Sequence, residues 1–340
     1  SASLSPSPSP PPQSWKEILN RIDESISRPI FRLGLPKWVE FIVSIPASFF
    51  GMNACLIVGP LWIALLALVR HRKHYPGYNI RMIIHCAITF FVTAVYVVAW
   101  GFFQFKGYRS LSKTLFWNAS LYAAAYPWCV GILAFTVLGL PDGSDASNKI
   151  VIDEHGAVLS PKAIFSIAIY SLVLWPFLIV PVMKLKTSTQ RSRPATKDLQ
   201  GAENWIRNKQ FPGMAHFLAE YQAQESFPSG DVMMASLLAI SLWEIGYKGL
   251  AATIVTLSGL GRMYVLAHHC FDVLCGCFLT LAIHRAGLAL GYSVYHVEWW
   301  HAFLAMGALI AYMRWTKPRK MDQDQLDHHQ NPLLPVPEQD

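Results

Sequence analysis

Residues 162–184 read KAIFSIAIYSLVLWPFLIVPVMK, with no charged residue between Lys162 and Lys184. Coiled as a helix, such a run spans the hydrocarbon core of a bilayer, which takes about 20 apolar residues. Comparable runs flank it on both sides. Together they predict an all-α, multi-pass membrane bundle of about eight transmembrane helices, over 39–69, 80–104, 114–140, 162–184, 231–247, 249–266, 271–291 and 295–314. The first run is overlong and holds Pro46 and Pro60, so a kink or tilt is expected there. The fifth and sixth are short and meet at Tyr247-Lys248-Gly249, the pattern of a tight helical hairpin.

Composition agrees. Of 340 residues, 53% are hydrophobic and 14% charged, with a mean hydropathy of +0.31; a soluble domain carries about 25% charge. The 12 Trp and 13 Tyr suit a protein with two lipid–water interfaces. A net charge of +7 calls for no nucleic-acid partner, because the basic clusters flank apolar runs as membrane topology requires. The six cysteines lie in or beside apolar runs and read as small buried thiols, and Cys275-x-Cys277 alone is a weak metal signal. No metal site and no cofactor are expected.

The ends of the apolar runs carry the chemistry. Lys186-x6-Arg193-Pro194 follows the fourth run, Pro228-Ser229-Gly230 precedes the fifth, and Arg262-x5-His268-x3-Asp272 joins the sixth to the seventh. A phosphoryl group spreads charge over its peripheral oxygens, so fixed cations and backbone N–H donors must meet them. Lys186, Arg193 and Arg262 supply cations, the arginines as bidentate forks. Ser229 and Gly230, opening a helix near 231, supply a hydroxyl and amides at an N-terminus that favours anions. His268 fits a nucleophile, and Asp272, one helical turn on, can accept its other ring N–H. Singly, each piece has a bland reading as topology determinant, turn or core histidine. Asp272 is the exception, since a carboxylate at the edge of a span is costly unless paired.

In this order the three motifs resemble the signatures of the type-2 phosphatidic acid phosphatase superfamily, which includes lipid phosphate phosphatases, glucose-6-phosphatases and vanadium haloperoxidases. The resemblance covers about 186–272 and is carried by no motif in residues 1–160. It implies metal-independent hydrolysis of a phosphomonoester through a phosphohistidine. Lys186, Arg193, Ser229, Gly230 and Arg262 would bind phosphate, His268 would attack, and Asp272 would orient it. Gly261 stands before Arg262 where a serine is common. The larger departure is Asp231, at the position of a histidine that protonates the leaving oxygen. An ordinary Asp titrates near 3.9 and neighbouring cations lower that further, so Asp231 is expected as an anion able to pair with Lys186 or Arg193.

Three readings follow. One is a phosphatase whose proton donor is a protonated Asp231, His269 or His216. Another is an enzyme of a diphosphate, whose leaving group needs little protonation. The third is a degenerate member that binds an anionic lipid or serves as a structural subunit beside other membrane proteins. Membrane lipids are the expected partners in all three. A transporter is a fourth, lesser reading, with no repeated pair of broken helices to support it.

The expected organisation is a Pro/Ser-rich tail at 1–13, an amphipathic interfacial helix at 14–37, N-terminal membrane helices at 38–185, a phosphatase-like core at 186–292 with a structured cap at 187–227, a last span at 293–316 and a polar tail at 317–340. In the amphipathic helix Trp15, Ile18, Leu19, Ile22 and Ile26 recur at helical spacing. It lies on the membrane surface or, alternatively, packs on the protein's own loops. No cleavable signal is read at the N-terminus, so the first span is expected to act as anchor. Lys106, Arg109, Lys113, Arg314, Lys317, Arg319 and Lys320 share the motif face and favour it as cytoplasmic, in the endoplasmic reticulum or another internal membrane; Arg70, Arg72, Lys73 and Arg81 pull the other way.

Overall fold

The structure is a computed structural model that describes residues 15–36, 38–39, 42–43, 52–75, 78–106, 125–138, 151–153, 156–194 and 225–315. Its helices are α1 (Trp15–Phe31), α2 (Met52–Ile57), α3 (Gly59–Arg70), α4 (Asn79–Lys106), α5 (Ala125–Val137), α6 (Pro161–Thr189), α7 (Gly230–Glu244), α8 (Lys248–Tyr264), α9 (Cys270–Ala289) and α10 (Trp299–Trp315). One short antiparallel hairpin, β1 (Val151–Asp153) with β2 (Gly156–Val158), precedes α6. The fold is the expected helical membrane bundle.

α6 is its centre. Ser160 caps its start, accepting from Ala163 N at 3.2 Å with Pro161 in the first turn, and Gln190 ends it in the left-handed region at φ 45°. Of its apolar window, 83% is buried, against 17% for that of α4. α6 therefore packs on α3, α7, α9 and α10, while α4 shows Ile80, Ile83, Phe91 and Val98 to the outside. In a protein whose surroundings are lipid, that exposed apolar face costs nothing.

Among the described residues, three helices are long and apolar enough to cross a membrane, at Asn79–Val98, Pro161–Thr189 and Cys270–Ala289; Gly59–Arg70, Ala125–Val137 and Trp299–Tyr312 are shorter apolar helices. α7 and α8 form the expected hairpin, turned by Gly246 at φ +87°, but 15 residues of α7 reach only about 22 Å. The eight-span count thus rests on sequence alone. Within the first expected span, 39–69, the described residues from Met52 on form two helices. They divide at Val58, and Pro60 opens α3, where its missing N–H removes no helical bond; Pro46 lies outside the described residues.

All motif residues sit at one end of the bundle. The other end is marked by Arg70 donating to Gly246 O at 3.3 Å and by Tyr75 and Tyr78 donating to the carbonyls of Leu159 and Thr136. The motif end is where α1 docks, against α8 and α9. Its orientation refines both readings of that helix. Asp23, Ser27 and Phe31 are buried on the protein, while the adjacent face leaves Leu19, Ile22 and Ile26 exposed.

Candidate active site

Backbone bonds knit the three motif segments together before any side chain acts. The chain leaving α6 runs antiparallel to the residues before the second motif: Ser192 bridges Glu225, and Ser226 N donates to Arg191 O at 2.7 Å. Lys186 Nζ donates to Glu225 O at 3.0 Å. The second motif is fixed to the third by Ser229 N donating to Asp272 O at 3.0 Å. There α9 comes so close that a Cβ on Gly276 would lie 2.6 Å from Ser229 O. Only glycine admits that approach.

His268 is brought in by a left-handed residue, Leu266 at φ 60°, two positions earlier. His268 as a whole is 1% exposed, and Nδ1 lies 2.8 Å from the carbonyl oxygen of Ser226. Asp272 Oδ2 is farther, 3.8 Å from Nδ1, and accepts instead from His269 N at 2.8 Å. Ser226 O is the nearer acceptor for the ring N–H, and the Asp272 carboxylate, within ion-pair range of the same nitrogen, also serves the helix start. A neutral imidazole with its proton on Nδ1 gives that proton to Ser226 O and leaves the Nε2 lone pair free. Burial holds His268 down to about 3, reinforced by the Arg193 and Arg262 charges and opposed by Asp272. At neutral pH it is a neutral nitrogen base.

Asp272 is completely buried and its second oxygen is taken by Arg191, with Nη1 2.7 Å from Oδ1. The same guanidinium holds Asp23 of α1, Nη2 lying 2.6 Å from Oδ2. Arg191 falls at an unspecified position inside the first motif, and Asp23 lies outside all three. No spacing pointed to them, because the link joins α1 to α9 across most of the chain.

Three cations meet here. Arg193, 6% exposed, donates through Nη1 to Ala267 O at 3.0 Å, and burial lowers it to about 10. Arg262, 5% exposed, is ion-paired with Asp231. Asp231 was expected on Lys186 or Arg193. Those two are instead held by the carbonyls of Glu225 and Ala267, whereas Arg262, at the end of α8, faces the first turn of α7 where Asp231 stands. Ser229 is the N-cap of α7, its Oγ accepting from Val232 N at 3.4 Å, and Gly230 opens the helix.

The structure thus brings Lys186, Arg193, Ser229, Gly230, Asp231, Arg262, His268 and Asp272 to one end of the bundle. Of the alternative acids, His269 is buried edge-on to Phe31 of α1, with ring centroids 5.8 Å apart, and burial lowers its pKa. His216 and most of the cap, residues 195–224, lie outside the described residues.

No curated protein and no solved structure matches the chain. Residues 163–300, which hold all three motifs, match the PAP2 superfamily.

Proposed function

We propose that this phosphatase-type membrane protein hydrolyses a phosphate or diphosphate ester of a lipid through a phosphohistidine on His268. The observation that carries the reading is the 2.8 Å contact of His268 Nδ1 with Ser226 O, in a buried setting that keeps the ring neutral. The Nε2 lone pair attacks the terminal phosphorus, the P–N bond forms, and the ester oxygen of a monoester, or the bridging oxygen of a diphosphate, departs with its electron pair. As the ring becomes cationic, the Asp272 carboxylate 3.8 Å away stabilises it. Lys186, Arg193 and Arg262 meet the phosphoryl oxygens, and the amides opening α7 add donors. Water then breaks the P–N bond and phosphate leaves.

Asp231 bears on the leaving group. Paired with Arg262 it is an ionised carboxylate, and losing general-acid help costs about 10²–10⁴ in rate. A diphosphate escapes most of that cost, since its leaving phosphate is stable unprotonated. We therefore place a lipid diphosphate ahead of a monoester. The lipid reading is supported by a site at the end of a membrane bundle, beside the exposed Leu19, Ile22 and Ile26 of α1. On the basic flanks, the motif face is assigned to the cytoplasmic side of an internal membrane.

The pair itself favours a second reading. With Asp231 on Arg262, one phosphate-binding cation is already neutralised, as in a degenerate member that binds an anionic lipid or serves as a structural subunit. Phosphate release from a polyprenyl diphosphate and from phosphatidate, by wild type, Asp231→His and His268→Ala, separates the two. Wild-type release that disappears in His268→Ala supports the enzyme. Release only in Asp231→His means a pocket switched off by one carboxylate, and silence in all three supports the binding subunit.

A further inference from the structure

We infer that α1 is part of the catalytic apparatus, with Asp23 a positioning residue that fixes Asp272, and through it His268, by way of Arg191. The inference rests on the phosphohistidine reading and adds to it an element that lies outside the three motifs.

The start of α9 has orphan backbone donors, as every helix start does, and its own loop satisfies only part of them. Two are met from α1: Phe271 N donates to Asp23 Oδ1 at 2.9 Å, and Cys270 N donates to Ser27 Oγ at 2.9 Å. Ser27 Oγ in turn lies 3.3 Å from Asp23 Oδ1. Both acceptors are completely buried, so this is an interior contact and not a helix resting on a surface. It reaches the two residues between His269 and Asp272.

The charged half of the contact is more specific. Arg191 stands between two fully buried carboxylates, 2.7 Å from Asp272 and 2.6 Å from Asp23. Nη1 makes a hydrogen bond to Asp272 Oδ1, whereas the Asp23 side is a close ion pair without hydrogen-bond geometry; in a rigid planar guanidinium, an anion held beside Nη2 still restrains the direction of Nη1. Breaking one member of a buried charged set leaves the others uncompensated. Without Asp23, Arg191 keeps one anchor and can rotate toward its 12% exposed side. Asp272 then loses the constraint on Oδ1, and His268 loses a fixed counter-charge at the moment it becomes cationic. Displacements on the order of an ångström can cost about a hundredfold in rate.

The test uses the full chain in lipid nanodiscs, with polyprenyl diphosphate as substrate. Asp23→Ala and Arg191→Ala are each expected to lower kcat about tenfold to a hundredfold, with KM within about threefold. The double variant should be no slower than the worse single, because the two act in series. Asp23→Asn keeps an acceptor for Phe271 N but not the charge, and should fall with Asp23→Ala. Wild-type kcat in Asp23→Ala, or single effects that multiply in the double, overturns the inference while leaving the phosphohistidine reading intact. Hydrogen–deuterium exchange of the Leu266–Val273 segment reads the same contact without turnover. Faster exchange in Asp23→Ala is expected even if the wild type proves inert, and unchanged exchange overturns the contact.

Discussion

The Asp231 carboxylate is paired with the Arg262 guanidinium, so the first turn of α7 supplies the anion that a substrate phosphate would have to replace. A phosphate competing for Arg262 must break a charged pair that is 7% exposed on one side and 24% on the other. Charged hydrogen bonds contribute about 1.5–3 kcal/mol, which is about one to two decades in affinity. Asp231→Asn should therefore tighten binding of inorganic phosphate at least about tenfold, measured by calorimetry in nanodiscs. Equal affinity in the two proteins would show that the pair does not compete with ligand.

His268 makes the fold sensitive to acid. Its folded pKa of about 3 lies below the ordinary 6.5 of the unfolded chain. Above 6.5 both states are neutral and the group contributes nothing. As pH falls below 6.5 the unfolded state takes up the proton first, so stability drops by up to about 1.4 kcal/mol per pH unit until the folded pKa is reached. His268→Gln keeps a donor for Ser226 O and lacks this titration. The fall in Tm between about pH 6.5 and about pH 4.5 should be shallower in the variant. Parallel slopes would mean that His268 is not buried as a neutral base.

Much of this was legible in the chain. The uncharged run between Lys162 and Lys184 announced α6, and the order of the three motifs announced which helix ends meet. What the sequence hid has specific causes. Arg191 and Asp23 act over 168 positions, a separation at which no periodicity or spacing carries information. Gln190 and Leu266 adopt left-handed backbone without being glycine, so nothing marked the two bends that aim Arg191 and His268. The acceptor for His268 is a carbonyl, and backbone acceptors have no sequence signature. Pro60 showed a break but not its kind, since proline serves a helix start as readily as a kink.

Gly276 sets how closely α9 approaches the second motif. An alanine there would place its Cβ 2.6 Å from Ser229 O, the oxygen that also accepts from Met233 N at 3.1 Å. Neither partner is a flexible side chain, so the helices must separate. Gly276→Ala should destabilise by about 1–3 kcal/mol as an overpacked contact and should weaken phosphate binding, because the turn moves away from Asp272. Gly287, whose added Cβ would meet only Tyr292 Cβ at 3.9 Å, is the control: Gly287→Ala should match or exceed wild-type stability. Thermal unfolding of both variants in one detergent checks the contrast, and equal Tm values would sink the close-approach argument.

Arg193 has two tasks that a lysine cannot share. One guanidinium nitrogen donates to Ala267 O at 3.0 Å, fixing the residue before His268, and in the proposed reaction the same planar fork also meets a phosphoryl oxygen. Arg193→Lys keeps the positive charge but has no rigid fork, and its ammonium must choose between the carbonyl and the substrate. If charge alone mattered, the variant would retain kcat/KM. The geometry predicts a loss of about tenfold to a hundredfold, shared between a raised KM and a lowered kcat because ligand and nucleophile are disturbed together. Lys186→Arg should be milder in kcat, since Lys186 Nζ is tied to Glu225 O and not to the segment that carries His268. Steady-state kinetics of the two exchanges, with the substrate that the wild type turns over, decide whether the site reads charge or the fork.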